Sequence, residues 1–361
     1  MTIHFKTHRT SFWFSFLLHS PLFSQGQQNY LPYFDQINIA EETFVSKGDA
    51  KLSLKQYDKA FASCRKPFVS DLFIASEIAW ASGDTNLFFK YITACFKRGM
   101  SFERLHYPPL FQTIFSDSLL LSKLQILNSS STKETVNAAL RDSVYMHYYR
   151  EQMVKKFIGR NREGLPAMHE EEKKNVAYFN TFLQDGQFPS EQMIGLYTEA
   201  GIDSFLNNYN LATFKVNFQM PKTTGDKTLN TFEMQPDDYM LTNHAAIVTY
   251  MHYTCEFERN KALFWKAVEA GYLHPKDYCF LEEWAVHSAN GINYQHDCTY
   301  DRQPCYYNIY WELKVTDPAS IEIVENNRKA KHLQKYSIDQ AKRKLQESKG
   351  FRFFFGNLSW R

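Results

Sequence analysis

Apolar positions along residues 30–100 recur at the spacing of amphipathic helices. One stripe follows the i, i+3, i+4, i+7 pattern of a single helix face: Tyr57, Ala60, Phe61 and Cys64. Three polar joints separate four such stripes: Gly48-Asp49, Lys66-Pro67 and Gly83-Asp84. The pattern predicts four short helices that pair into two antiparallel helix hairpins.

The two hairpins are similar in sequence. At an offset of 35 residues, Gly48-Asp49 matches Gly83-Asp84. A competing offset of 28 places Tyr57 and Ala60 where tetratricopeptide repeats carry an aromatic and a small residue. Residues 27–127 therefore resemble degenerate tetratricopeptide repeats, although Phe88 stands where a small residue belongs. The resemblance implies a concave face for a protein or peptide partner, and an ordinary helical core is the alternative.

The hydrophilic run 128–134 is the best candidate for a domain boundary. Beyond it, residues 136–158 predict a long amphipathic helix, and residues 133–361 predict a mostly helical domain with a few short strands. Residues 350–356 are rich in strand formers and predict either a short strand or an aromatic plug. The predicted fold class is mainly α: helical-hairpin repeats followed by this second domain.

Several short motifs follow one another in the second half of the chain. They are Gly186-Gln187-Phe188-Pro189, Ile194-Gly195, Asn243-His244-Ala245, Ala270-Gly271-Tyr272-Leu273 and Asn326-Asn327-Arg328. In this order they resemble a family of uncharacterised exported bacterial proteins. The resemblance spans about residues 136–345, is interrupted at 214–238, and has an altered strand motif at 294–297. It implies an architecture and no established activity.

The first 26 residues have the pattern of a secretory signal peptide. Lys6 and Arg9 precede an apolar stretch from Phe12 to Phe23, and Ser24-Gln25-Gly26 offers a small-x-small cleavage site. The pattern predicts a protein that is exported to the periplasm or secreted. A buried or amphipathic N-terminal helix is the alternative.

Composition and charge narrow the classes of partner that this protein is expected to bind. Lys and Arg number 41 against 39 Asp and Glu, a net charge of +2 that gives no reason to expect nucleic-acid binding. No apolar run reaches the about 18 residues that a membrane-spanning helix needs. The helix-hairpin repeats, rather than the composition, predict a protein or peptide partner, and the sequence leaves the oligomeric state open.

The six cysteines are spread along the chain. Cys298 and Cys305 lie close together in a polar loop, which predicts a disulfide between them in an exported protein. Cys64, Cys95 and Cys255 have apolar, helical surroundings and are expected to be buried free thiols.

Candidate catalytic residues are few. They are His244, which matches a motif of the resembled family, and Glu283 and His296 in the polar cluster 282–305. His252 shares a helix face with His244, but eight residues separate them by about 12 Å along the axis, too far to share one ion. The spacing of His296 to the nearby cysteines matches no familiar zinc pattern. No metal ligand and no cofactor are therefore predicted from the sequence.

Two function hypotheses remain. The sequence carries no phosphate-binding glycine loop and no nucleophile elbow. This favours an exported, non-catalytic scaffold that binds a protein or peptide. The alternative is an enzyme, or a domain that binds a small ligand or a metal, centred on His244 and the 282–305 cluster.

Overall fold

The computed structural model describes residues 29–157, 164–196, 204–205, 207–209, 244–291, 307, 309 and 317–354. Within these ranges the chain is mainly helical, which confirms the predicted mainly α fold class. The few short strands expected in the C-terminal part do not occur in the described ranges. Among the same residues, no helix combines the length and apolar character needed to cross a membrane.

Two helix hairpins open the described chain. Their helices are α1 (Leu31–Lys47), α2 (Ala50–Ala62), α3 (Val69–Ala81) and α4 (Thr85–Lys97). The same joint precedes α2 and α4: a glycine with positive φ, then an aspartate whose carboxylate caps the next helix. These residues are Gly48-Asp49 and Gly83-Asp84, so the 35-residue offset in sequence is also an offset between two equal local structures. The likeness to tetratricopeptide repeats stays a prediction.

Ten further α-helices follow in the described ranges. Two 3-10 turns, Phe102–His106 and Pro109–Phe111, lead into α5 (Gln112–Phe115) and α6 (Ser118–Ser130). The rest are α7 (Ala138–Phe157), α8 (Gly164–Gln184), α9 (Glu191–Ile194), α10 (His244–His252), α11 (Thr254–Glu269), α12 (Pro275–Gly291), α13 (Pro318–Ala330) and α14 (Tyr336–Lys349). Helices α7, α8 and α10 pack on one another, and α11 packs on α12.

Helix α14 docks on α1 through a buried ion cluster. The Lys342 ammonium lies 2.7 Å from Glu41 of α1 and 3.3 Å from Asp339 of its own helix. All three residues are at least nine-tenths buried. Arg328 of α13 holds the second oxygen of Asp339. This cluster of two cations and two carboxylates therefore joins α1 to α13 and α14.

The residues after α14 form an aromatic plug, one of the two alternatives predicted for this segment. Phe351 and Phe353 are buried, their rings stack 4.9 Å apart, and Phe351 also contacts Phe44 of α1 at 5.5 Å. The Arg352 N–H donates to both oxygens of the buried Glu77 on α3, at 2.9 and 3.0 Å. The chain's own C-terminal residues thus cover this face of α1 and α3.

A close approach at Gly271 joins the start of the described chain to α11. A Cβ at Gly271 would meet the Tyr30 ring at 2.5 Å, and the glycine has a φ of +76°. The Tyr30 N–H also donates to Glu269 O at 2.7 Å. One continuous hydrophobic core includes residues from both predicted regions, 27–127 and 133–361. The boundary between the regions stays a prediction.

Another buried carboxylate, Asp71, lies between α1 and α3. The Tyr33 hydroxyl donates to Asp71 Oδ2 at 2.5 Å. The pKa of Asp71 is raised to about 7, chiefly by burial and also by the nearby Glu41 and Glu191, while the Tyr33 hydrogen bond and Lys342 oppose the rise. Folding therefore favours the protonated, neutral form of the Asp71 carboxyl group.

Replacing Lys342 by methionine is expected to destabilise the protein strongly. Lys342→Met leaves Glu41 and one oxygen of Asp339 buried without their cation, which costs about 3–5 kcal/mol of unfolding free energy. The matched control is Lys335→Met, because Lys335 makes a solvent-exposed pair with Glu42 at 2.7 Å and its loss costs about 0–1 kcal/mol. Urea unfolding of the two variants measures both values. Equal losses would contradict the structural role of the buried cluster.

Asp71 is expected to make the protein less stable as the pH rises. Its folded pKa of about 7 exceeds the unfolded value of about 4, so the folded state binds more protons between these values. Stability should fall by roughly 2–4 kcal/mol through this window, and Asp71→Asn should remove that slope. Unfolding curves at pH 5 and pH 8 test the difference, with Asp58→Asn on α2 as a control for charge loss. Parallel pH profiles for wild type and Asp71→Asn would refute it.

Candidate metal centre

Three helices bring two carboxylates and one imidazole together inside the C-terminal part of the fold. The residues are Glu151 of α7, Glu172 of α8 and His252 of α10, and one potential ligand atom from each lies within 4.8 Å of the others. Glu151 is 0% exposed and Glu172 is 1% exposed. A cluster of this kind is the arrangement in which helix bundles hold metal ions.

Helical periodicity explains why these polar side chains point inward. Glu151 follows the buried Val144 and Tyr148 at i+7 and i+3. Glu172 precedes the buried Val176 and Phe179 with spacings of four and seven residues. Each carboxylate therefore occupies a position of the core-facing stripe that an apolar residue would normally fill.

Helical periodicity also places His252 on the core-facing stripe of its helix. His252 follows the buried Ala245 and Val248 by seven and four residues and is the last residue of α10. Because α10 packs on both α7 and α8, its inward stripe faces the two carboxylates. The cluster thus forms where the inward stripes of three helices meet.

The separations between the potential ligand atoms suit a single ion. His252 Nδ1 lies 2.8 Å from Glu151 Oε1 and 3.4 Å from Glu172 Oε1. Ligands bound about 2.1 Å from an ion are about 3.0 Å apart in octahedral and about 3.4 Å apart in tetrahedral geometry. The three side chains are therefore already at the spacing of neighbouring ligands.

A second layer of hydrogen bonds holds the Glu151 carboxylate. Its Oε2 atom accepts from Asn175 Nδ2 at 3.1 Å and from Thr249 Oγ1 at 3.4 Å. These bonds engage Oε2, so Oε1 is directed toward His252. Such outer contacts fix the orientation of metal-binding carboxylates and commonly affect metal affinity.

His147 in turn orients Asn175. The Asn175 amide nitrogen must face Glu151, because a carboxylate accepts but does not donate, so Asn175 Oδ1 faces His147 Nδ1 at 2.8 Å. His147 Nδ1 therefore carries a proton. Burial lowers the pKa of His147, and its ring stacks on Tyr178 at 4.1 Å. His147 is thus a neutral hydrogen-bond donor beneath the cluster.

His169 lies at the outer edge of the site. Its Nδ1 is 3.4 Å from Glu172 Oε2, and its side chain is 37% exposed where Glu172 is 1% exposed. Its backbone carbonyl accepts a hydrogen bond from the Tyr253 hydroxyl at 3.1 Å. Burial and then the Glu172 carboxylate raise the pKa of Tyr253 to about 12, which keeps this phenol protonated as a donor. His169 therefore links the buried carboxylates to solvent.

The three side chains are of types that bind divalent cations: two carboxylates and one imidazole. Carboxylates that are removed from water need a matching charge or become protonated. A divalent ion bound by the three side chains would supply such a charge.

Comparisons with known proteins give no relative. No protein family, curated protein or solved structure matches this chain. The chemistry of the site therefore rests on its own residues.

Of the three candidate catalytic residues from the sequence, Glu283 is the one whose side chain the structure describes. His244 is the first residue of α10, and its side chain, like the whole of His296, lies outside the described residues. Glu283 of α12 is buried, and its two oxygens accept the N–H groups of Tyr307 at 2.6 Å and Ile309 at 3.0 Å. Glu283 therefore anchors a chain segment in this structure.

Sequence reasoning missed Glu151, Glu172 and His169, and it considered His252 only together with His244. One signal was present: Glu172 lies in the run Glu170-Glu171-Glu172, yet it alone shares the helical stripe of Val176 and Phe179. Glu151 has a similar place on α7. Acidic residues on an apolar stripe were the available clue, and their convergence required the fold.

Cys255, near the start of α11, is disulfide-bonded. The expectation of a free thiol there is wrong, since apolar surroundings suit a half-cystine as well as a thiol. Cys64, Cys95 and Cys279 are free, so the partner of Cys255 lies outside the described residues. Cys298 and Cys305, the two remaining cysteines of the sequence, also lie outside the described residues, so their predicted mutual disulfide and an intrachain bond from either of them to Cys255 exclude each other.

Non-reducing peptide mapping should find Cys255 linked to another cysteine-containing peptide. The protein is unfolded and alkylated without reductant, so that every free thiol is blocked before digestion. Cys279, which is free and 0% exposed, is the control that shows complete unfolding. An alkylated Cys255 would contradict the bond, and the partner peptide decides whether Cys298 and Cys305 can pair.

Proposed function

We propose that this protein binds one divalent transition-metal ion between α7, α8 and α10, with Glu151, Glu172 and His252 as ligands. One observation carries the proposal: two buried carboxylates from different helices converge with an imidazole within 4.8 Å. The hydrogen bonds of Asn175 and Thr249 to Glu151 support it, because they orient the carboxylate without an ion.

The ligand set narrows the choice of metal. Two carboxylates and one imidazole suit Mn²⁺, Fe²⁺ and Zn²⁺, whereas soft Cu⁺ prefers sulfur ligands. Ca²⁺ prefers six to eight oxygen ligands, which this group does not supply. Three protein ligands leave coordination positions open to water, and His169 lies beside them on the solvent side.

An ion with open positions would supply Lewis acidity and would lower the pKa of a bound water. The chain's own contribution is to exclude bulk water from Glu151 and Glu172 and to fix their orientation. His169 Nδ1 lies 3.4 Å from Glu172 Oε2 at the partly exposed edge of the proposed site. The proposal favours the metal-binding alternative of the sequence analysis, on residues other than His244 and the 282–305 cluster.

The scaffold hypothesis is also a proposal. Its weakness is that the C-terminal residues cover the face of α1 and α3 that carries Glu41, Phe44 and Glu77. A peptide partner would have to displace this contact or use another surface. Export rests on residues 1–26, which lie outside the described residues, and we retain it as a proposal together with the protein or peptide partner.

Metal analysis of the purified protein tests the metal proposal. Protein stripped with chelator and offered Mn²⁺, Fe²⁺ or Zn²⁺ is expected to bind one equivalent, with a higher melting temperature because the ion binds only the folded state. Replacing a ligand should weaken metal binding by about 100-fold or more, since replacing a residue that only hydrogen-bonds to a ligand already costs about 10–100-fold. The ligand variants are Glu151→Gln, Glu172→Gln and His252→Gln. Asn175→Ala should weaken it by about 10–100-fold.

Glu170→Gln is the matched control. Glu170 lies on the same helix as Glu172, is 64% exposed and pairs with Lys173, so its loss should leave affinity unchanged. If no metal binds, and Glu172→Gln stabilises the protein by relieving repulsion between carboxylates, the cluster is a metal-free hydrogen-bond network and the proposal is wrong.

A further inference from the structure

A polar cavity lies where the start of α12 meets α14, and none of the residues that line it is a proposed metal ligand. Its volume is about 340 Å³, within the range of about 300–1,000 Å³ that small-molecule sites occupy. Lys276 of α12 lines it together with Tyr336, Gln340, Lys344 and Glu347 of α14. The cavity therefore has room for a small polar molecule beside a lysine amine.

Two lysine side chains lie against one aromatic ring at this cavity. Lys276 Nζ is 4.4 Å from the centre of the Phe354 ring, and Lys342 Nζ is 5.1 Å from the same centre. Lys342 has two carboxylate partners, Glu41 at 2.7 Å and Asp339 at 3.3 Å. Among the residues that the structure describes, no carboxylate lies within ion-pair distance of Lys276. Of the two amines, Lys276 is therefore the one whose positive charge is less stabilised.

The two lysines consequently differ in basicity. The pKa of Lys276 is lowered to about 8, chiefly by burial and also by the cations Lys342 and Arg328, while Asp339 and Glu41 oppose the change. Burial also acts against the charge of Lys342, but Glu41 and Asp339 outweigh it and raise the pKa of Lys342. An ordinary lysine has a pKa of about 10.4. At neutral pH Lys276 therefore has a much larger fraction of neutral, nucleophilic amine than an ordinary lysine.

Other ionisable groups also surround the Lys276 side chain. The guanidinium carbon of Arg343 lies 4.8 Å from the centre of the Phe354 ring, and Lys344 and Glu347 line the cavity. His274 Nδ1 accepts the backbone N–H of Lys276 at 3.1 Å, and burial lowers the pKa of this histidine to about 3. His274 therefore stays neutral, and the charges that act on Lys276 at pH 7 belong to α1, α13 and α14.

We propose that this cavity is a carbonyl-binding site in which Lys276 Nζ forms an imine with a small polar aldehyde. The amine nitrogen attacks the carbonyl carbon and gives a carbinolamine, and the carbon–oxygen bond then breaks as the carbon–nitrogen double bond forms. The two amine protons leave with the oxygen as water, so no oxidant or reductant is required. Removal from water and neighbouring cations are the conditions under which proteins activate a lysine as a nucleophile.

The lining favours an aldehyde that carries a hydroxyl group. The Gln340 amide donates and accepts hydrogen bonds, the Tyr336 hydroxyl does the same, and the Glu347 carboxylate accepts them. Ile309 offers apolar surface to the carbon atoms of the ligand. A short hydroxyaldehyde is therefore the class of ligand that fits both the amine and the rest of the lining.

Reductive trapping with glycolaldehyde and cyanoborohydride tests this proposal on the full protein. Cyanoborohydride reduces an imine to a stable secondary amine, and peptide mapping by mass spectrometry then measures the label on each lysine. At pH 7, Lys276 should be labelled at least about tenfold faster than Lys344, an exposed lysine that lines the same cavity. The ratio should fall between pH 7 and pH 10, because ordinary lysines lose their protons only near the upper value.

Three controls separate a binding site from a merely reactive amine. The labelling rate of Lys276 should saturate with glycolaldehyde concentration, and propionaldehyde, which lacks the hydroxyl, should label it more slowly. Lys276→Arg keeps the positive charge and should lose the fast phase of labelling, whereas Lys344→Arg should keep it. In concentrated urea the preference for Lys276 should vanish. Equal labelling of Lys276 and Lys344 in the folded protein, or a Lys276 rate that stays linear in glycolaldehyde, would overturn the proposal.

Discussion

The rest of the structure depends on the buried pairing of Lys342 with Glu41 and Asp339. Removing three charged groups from water is costly, so the arrangement persists only where each charge finds its partner. This condition fixes α14 on α1 and, through Arg328, α13 as well. The aromatic plug at Phe351 and Phe353 follows directly from α14, so its place on the hairpins depends on the same contact.

The hairpins and the C-terminal helices are therefore one packed structure in the described part of the chain. Helical hairpins commonly offer an open face to a partner. Here the chain itself supplies a helix, two phenylalanine rings and a backbone N–H to α1 and α3. Because the chain itself covers this face of the hairpins, our proposal on function starts from the polar cluster of Glu151, Glu172 and His252 rather than from an open groove.

A polar cluster interrupts the apolar core of the C-terminal part. At this proposed metal centre, two carboxylates and an imidazole replace apolar side chains on the inward stripes of three helices. Buried carboxylates are costly unless a group of opposite charge or a hydrogen-bond donor lies beside them.

The sequence by itself determined the helices, because caps and periodicity are local. Gly48-Asp49, Gly83-Asp84 and Asp317-Pro318 each mark the helix start that the structure shows. Only the tertiary structure decided which polar residues meet. Glu151, Glu172 and His252 are 101 residues apart at the extremes, and no local pattern encodes that convergence. The pairing of Glu41 with Lys342 has the same origin: it joins residues on the first and last described helices, and packing of the helices sets their distance.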